Sequence, residues 1–191
     1  IKRAASDYKG TGHQIGEQLY SDTGKKVAVI GAGPAGLAVA HDLAKLGHQL
    51  DVFESKASPG GMLKYVIPRF RLPQAVLDVD FSYVFRLGIR IHYNQTIGRE
   101  LKLSELLSTY DAVVVAAGCS ISNTLNIPGE QLQGVFPALQ FMEDFNNDKN
   151  LTLGKNCFVI GGGFTAMDCV RAAVRLGSDQ VSLNILSTEK Y

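Results

Sequence analysis

The sequence predicts an α/β fold, a parallel β-sheet with helices on both faces. Three observations carry that expectation. Short apolar runs bounded by glycine alternate with segments of helical spacing. A glycine-rich turn follows one apolar run directly and opens a helix. The same strand–glycine–helix–strand pattern returns about 130 residues later.

Taken in order, residues 1–24 are polar, show no clear period and read as an arm. Lys26 to Ile30 is a short apolar run and reads as a buried parallel strand. Residues 34–46 carry Leu37, Ala40, Leu43 and Ala44 on one helical face, and Gly47 stops that helix. Leu50 to Phe53 is a second strand. Residues 55–73 hold prolines and two adjacent glycines and are expected to be loop. Residues 74–87 read as a helix with Val76, Leu77, Phe81, Val84 and Phe85 inward, ended by Gly88. Ile89 to Tyr93 is a strand, Leu103 to Leu107 a short helix, and Ala112 to Ala116 a further buried strand. After an irregular stretch over 119–136, Ala138 to Phe145 is helical. Cys157 to Ile160, the turn at 161–163, the helix at 164–176 and the strand from Val181 to Leu186 repeat the opening unit.

Composition limits the function classes. The chain has 191 residues, the size of one domain or of one domain and part of a second. A hydrophobic fraction of 46% supports a core, and a net charge of +1 without charge runs gives no footprint for nucleic acid or an anionic membrane. No apolar run is long enough to cross a bilayer, so no membrane insertion is expected. Cys119, Cys157 and Cys169 form no C-x-x-C pair and read as free thiols in a reducing cytoplasm. No His/Cys cluster has metal-ligand spacing. His41, His48 and His92 read as structural or exposed, and Arg171 and Arg175 as a surface stripe. Both ends look cut from a longer chain.

The first glycine turn, Gly31-Ala32-Gly33-Pro34-Ala35-Gly36, fits G-x-G-x-x-G between strand and helix. Gly31 permits the tight turn, Gly33 lets backbone approach a pyrophosphate, and Gly36 lets helix pack closely on strand. The helix start then offers free N–H groups to an anion. Glu54, 18 residues after Gly36, ends the next strand, where an acid accepts hydrogen bonds from ribose hydroxyls and repels a 2′-phosphate. This is a Rossmann-like site suited to FAD or NAD(H). Gly161, Gly163 and Ala166 make a second motif, G-x-G-x-x-A. Hydride transfer between bound cofactors needs no side-chain nucleophile, so no catalytic acid or base is assigned.

These residues, with Gly60-Gly61-Met62-Leu63 and Ile67-Pro68-Arg69-Phe70-Arg71-Leu72-Pro73, resemble flavoproteins of the glutamate synthase small-subunit type. Dihydropyrimidine dehydrogenase flavin domains share that type. Gly161 to Cys169 is similar to the family's second motif, Gly-Gly-Gly-Asn-Thr-Ala-Met-Asp-Cys, with Phe164 in place of the Asn. The resemblance implies a disulfide-reductase-like architecture without the redox disulfide. Electrons would pass from NAD(P)H to FAD and on to an iron–sulfur partner domain or subunit. It implies FAD contacts at Gly31, Gly33, Pro34, Ala35, Gly36, Glu54, Gly61, Met62, Leu63 and the turn at Ala116, Ala117 and Gly118. NAD(P)H contacts would lie at Gly161, Gly163, Phe164, Thr165 and Ala166. The expected organisation is an arm over 1–24, a FAD-binding unit over 25–150 and the start of an NAD(P)-binding unit over 151–191, incomplete at its C-terminal end. Two further departures are Ala117, where the family has Thr, and Leu186-Ser187, where most relatives carry an Arg pair. An alternative reading is a nucleotide-binding scaffold that has lost nicotinamide chemistry.

Overall fold

The structure, a computed structural model, describes residues 19–185. Its first sheet comprises β1 (Lys26–Ile30), β2 (Gln49–Phe53), β3 (Arg90–His92) and β4 (Ala112–Val115), all parallel, in the order β3-β2-β1-β4. Ile30 is in register with Phe53 on one side and Val115 on the other, so three strands end at one edge. A second parallel pair, β5 (Asn156–Ile160) and β6 (Gln180–Asn184), forms its own sheet.

The period of two in the strands decides the layers. Val27 and Val29 of β1 and Leu50 and Val52 of β2 pack against α1 (Pro34–Lys45) and α3 (Gln74–Phe85), meeting Leu37, Ala40, Leu77 and Phe81. Ala28 and Phe53 face the other way, onto Leu106 of α4 (Leu103–Thr109). Helices therefore cover both faces of the first sheet, as the alternation predicts.

Two expectations need correction. The segment 55–73 is not all loop, because Met62–Tyr65 forms a short helix, α2, starting at Gly61. Its four residues are too few to show a period in sequence. In α3 the buried stripe is narrower than expected: Leu77 and Phe81, four apart, are buried, whereas Val76 and Phe85 are exposed. A stripe this narrow is what one turn-to-turn row of a helix presents to a sheet already filled by α1.

The remaining helices are α5 (Ala138–Asn146) and α6 (Phe164–Arg175). Phe141 and Met142 of α5 pack on Cys169 and Ala172 of α6, with Val66 and Val159 at the margin. On β5, Val159 belongs to that cluster while Phe158 and Ile160 stand exposed, so α6 covers one face of the second sheet. Among the described residues no helix is long and apolar enough to cross a membrane.

Candidate functional site

Three backbone segments converge where the strands of the first sheet end. Gly31 follows β1 directly, and its N–H donates to the carbonyl of Phe53 at 2.8 Å. Its φ of +101° lies in the left-handed region, and a Cβ there would stand 2.4 Å from the carbonyl oxygen of Ala116. The Ala116 N–H in turn donates to Ile30 at 2.8 Å, which brings the Ala116-Ala117-Gly118 turn beside the first glycine loop. A Cβ at Gly36 would lie only 1.9 Å from the carbonyl oxygen of Gly31, so α1 can start this close to the strand only on a glycine.

The Gly60-Gly61 loop closes the third side. The Gly60 N–H donates to the carbonyl of Ala32 at 2.7 Å. Gly61, at φ +50°, faces Gly33 with no side chain between them: a Cβ on Gly61 would come within 3.0 Å of the Gly33 Cα. Gly33 caps α1, Pro34 takes its first position, and no side chain makes a capping hydrogen bond there. Pro34 suits that position because its missing N–H costs the helix nothing there. Gly31, Gly33, Pro34, Ala35, Gly36, Gly61 and Ala116 are thus brought together. Of the neighbouring pair, Leu63 packs into the core beneath the loop, whereas Met62 begins α2. Ala117 and Gly118 are exposed beyond the turn.

Glu54 sits at the centre and does more than the sequence shows. Its carboxylate is buried; Oε2 accepts the Ala32 N–H at 2.8 Å, and Oε1 accepts the Lys56 N–H at 2.8 Å. Ala32 is therefore held by Glu54 through its N–H and by Gly60 through its carbonyl. Ser55 Oγ also donates to Oε1 at 3.1 Å, and a carboxylate has about four acceptor positions, so these bonds leave room for one ribose hydroxyl. The negative charge of Glu54, after burial, helps push the Tyr93 hydroxyl above its ordinary pKa. Burial raises Tyr65 likewise, and the Lys56 ammonium lies 4.6 Å from its ring while pairing with Glu143.

Beneath this edge the structure holds a network that the sequence did not disclose. Asp51, buried on β2, receives both Nε (2.9 Å) and an Nη (2.6 Å) of Arg90, and its Oδ1 lies 2.6 Å from His92 Nε2. The Arg90 hydrogen bond is the main reason that the Asp51 carboxyl falls to about 2. The His92 ring stacks on Phe53 at 4.8 Å. His41 also has a carboxylate neighbour, its Nδ1 lying 2.8 Å from Asp42 Oδ1. The register of β2 and β3 brings Arg90 and His92 to Asp51, and spacing along the chain does not report it.

The second glycine motif forms the same local turn on the second sheet. Gly161 has φ +135°, and its N–H donates to Asn184 at 2.9 Å. Gly163 caps α6, again with no side-chain hydrogen bond at the cap, and Ala166 is buried, its Cβ 3.4 Å from where a Cβ on Gly161 would stand. Phe164 and Thr165 are exposed at the helix start, Phe164 at 83%. Leu186, Ser187 and Lys190 lie outside the described residues. Arg175 is not simply part of a surface stripe: its guanidinium lies 4.0 Å from the Phe70 ring while one Nη donates to the Arg171 carbonyl. Further contacts tie the 65–71 segment to α5 and α6. Arg71 Nη1 meets Asp168 Oδ2 at 2.6 Å, and Asn146 Nδ2 donates to the carbonyls of Tyr65 (3.1 Å) and Ile67 (3.0 Å).

A dinucleotide pyrophosphate fits the first site on its own geometry. Gly31, Gly36 and Gly61 stand where a Cβ would crowd neighbouring backbone, and the N–H groups at the start of α1, which no side chain caps, suit an anion. Among the described residues no group of three His, Cys, Asp or Glu side chains could hold a metal ion.

Comparison with known proteins agrees with this geometry. The family model for pyridine nucleotide-disulphide oxidoreductases matches residues 25–188. Over 180 residues the chain is 39% identical to the NADP(+)-dependent formate dehydrogenase subunit beta of Moorella thermoacetica, covering 92% of this chain and 26% of that protein. It is 40% identical to the glutamate synthase (NADPH) small chain of Escherichia coli over 84% of this chain and 36% of that one. Among solved structures, Mycobacterium tuberculosis FprA in complex with NADPH superposes with a TM-score of 0.68 at 26% identity, over 77% of this chain and 36% of that chain. The chain thus spans about a quarter to a third of the length of these relatives. The expected Rossmann-like fold and the resemblance to glutamate synthase small subunits are borne out. A match over nearly its whole length places the chain in the pyridine nucleotide-disulphide oxidoreductase family.

Proposed function

We propose that the protein passes electrons from NAD(P)H through FAD to a downstream redox centre. That centre would be an iron–sulfur domain or subunit, with this chain as the flavin-binding part of a larger cytoplasmic oxidoreductase. The observation that carries this reading is the convergence of Gly31, Gly61 and Ala116 beside a helix start that no side chain caps. Bound there, FAD supplies hydride acceptance and electron release. The chain's own residues bind and orient. The Gly31–Gly36 loop and the start of α1 take the pyrophosphate, and Glu54 takes the ribose while bracing Ala32. Gly61, Met62 and Leu63 wall one side, and Ala116, Ala117 and Gly118 the other. In the unit from 151 onward, Gly161, Gly163, Phe164, Thr165 and Ala166 receive the nicotinamide nucleotide. The glutamate synthase (NADPH) small chain supports a reduced nicotinamide nucleotide as donor, and the NADP(+)-dependent formate dehydrogenase subunit, whose nucleotide takes electrons, supports a nicotinamide site without this direction.

A second reading, a nucleotide-binding scaffold without nicotinamide chemistry, is favoured by Phe164, a large exposed ring at the start of α6. The test is a visible spectrum of the full-length protein, followed by anaerobic addition of NADPH and NADH in separate samples. A flavin spectrum bleached by either nucleotide supports electron transfer. A flavin that neither bleaches leaves the scaffold. A protein that takes up no flavin refutes both the FAD assignment and the reading built on it.

A further inference from the structure

We propose that Arg71 and Asp168 are a positioning pair that sets the nicotinamide-binding unit against the flavin-binding one, and so controls the rate of flavin reduction. The proposal rests on the functional reading above. The two residues belong to different parts of the fold. Arg71 lies in the loop that continues from Gly61 through α2, and Asp168 lies one turn into α6, beyond the second glycine motif. Asp168 is buried, its side chain only 9% exposed, and Arg71 Nη1 meets its Oδ2 at 2.6 Å. A continuous path therefore runs from Gly33, against Gly61, along the 62–71 segment, across the ion pair and back up α6 to Gly163.

Apolar packing between the same parts is present but is indifferent to small slides. Val66 touches the cluster of Phe141, Met142, Cys169 and Ala172, and burial of this kind has no preferred direction. A charged hydrogen bond to a buried carboxylate does have one. Two further polar contacts act along the same loop. Asn146 holds the carbonyls of Tyr65 and Ile67, and Arg175, at the far end of α6, lies over Phe70. The loop is gripped at three points, with Arg71 the one nearest the nucleotide end of α6. Hydride transfer falls steeply with misplacement of the reacting atoms, on the order of 100-fold for about 1 Å. A pair that fixes α6 on the flavin loop would therefore act on the rate although neither residue lies at the glycine turns that cradle the cofactors.

The test uses the full-length protein loaded with FAD. Flavin bleaching is followed by anaerobic stopped flow at saturating NADPH or NADH, with dithionite reduction and FAD content as controls. Asp168→Asn and Arg71→Met are expected to slow bleaching by nicotinamide ~10- to 100-fold. Dithionite reduction and FAD content stay at wild-type level. The double variant is expected to be no slower than the slower single variant, because both remove one shared interaction. Arg71→Lys, which keeps the charge, recovers part of the rate. Should the first two variants fail to fold, Arg71→Lys and Arg175→Gln decide. Both must slow bleaching by nicotinamide and spare reduction by dithionite. Wild-type bleaching rates in variants that retain FAD overturn the proposal. If wild-type protein holds FAD that dithionite bleaches and neither nicotinamide does, the functional reading itself fails, and the positioning role with it.

Discussion

Gly33 and Gly61, from two different loops, meet backbone to backbone, and a Cβ on Gly61 would lie 3.0 Å from the Cα of Gly33. Gly61 also holds φ +50°, so a side chain there is both crowded and strained. Gly61→Ala is expected to separate the two loops and lower FAD content at least ~10-fold, the loss that ~1.4 kcal/mol of binding energy represents. The flavin-to-protein absorbance ratio after gel filtration checks it. A variant that retains full FAD would remove this contact from the cofactor site.

Gly36 is the stricter case, because its Cβ would stand 1.9 Å from the carbonyl oxygen of Gly31, which is backbone and has nowhere to yield. Gly36→Ala is expected to destabilise the fold by about 3 kcal/mol, the upper range for overpacking. Urea denaturation measures it. An unchanged midpoint would mean that the approach of α1 to the strand is looser than the structure shows.

Glu54→Gln separates charge from shape. One side-chain oxygen becomes an NH2 group, which cannot accept the N–H of either Ala32 or Lys56, so one buried donor is left without its partner. The expected loss is about 1–3 kcal/mol of stability, with weaker FAD retention in the same variant. Thermal melting with and without added FAD distinguishes the two effects. Equal melting of wild type and variant without FAD would show that Glu54 does not brace the loop.

Asp51 makes stability depend on pH in acid. Arg90 holds its folded-state value down at about 2, below the ordinary carboxylate value near 3.9. A lowered value stabilises the fold above the unfolded-state value, and that stability is lost as pH falls from about 4 towards 2. Arg90 is largely exposed and water screens the pair, so the contribution is roughly 1–2 kcal/mol. Denaturation midpoints between pH 5 and pH 2 are expected to fall less steeply in Asp51→Asn than in wild type. Parallel curves would refute the assignment.

The three thiols should react unequally. Burial, with the Asp168 charge adding to it, pushes Cys169 up to about 11, whereas Cys119 is exposed. At pH 8 about one Cys169 in a thousand is thiolate, and the thiolate is the reactive form. Iodoacetamide under native conditions should label Cys119 and spare Cys169, as peptide mass spectrometry would show. Rapid labelling of Cys169 would mean that α5 and α6 part readily.

Local patterns of the chain were enough to specify the order of elements apart from the short α2, the two glycine turns and the acid that follows β2. A period of two or of 3.6 residues and the steric freedom of glycine are properties of short segments, and they survive without knowledge of the partner. The same patterns misjudged Val76 and Phe85, because the width of a buried stripe depends on what else covers the sheet. Only the tertiary structure decided who meets whom at the site. Glu54 grips Ala32 from 22 residues away, Asp51 finds Arg90 and His92 across 39 and 41, and Arg71 reaches Asp168 across 97. Those partners are set by strand register and by the docking of α6 on the 67–73 loop, and hydrogen bonds of a few ångströms have no signature in sequence spacing.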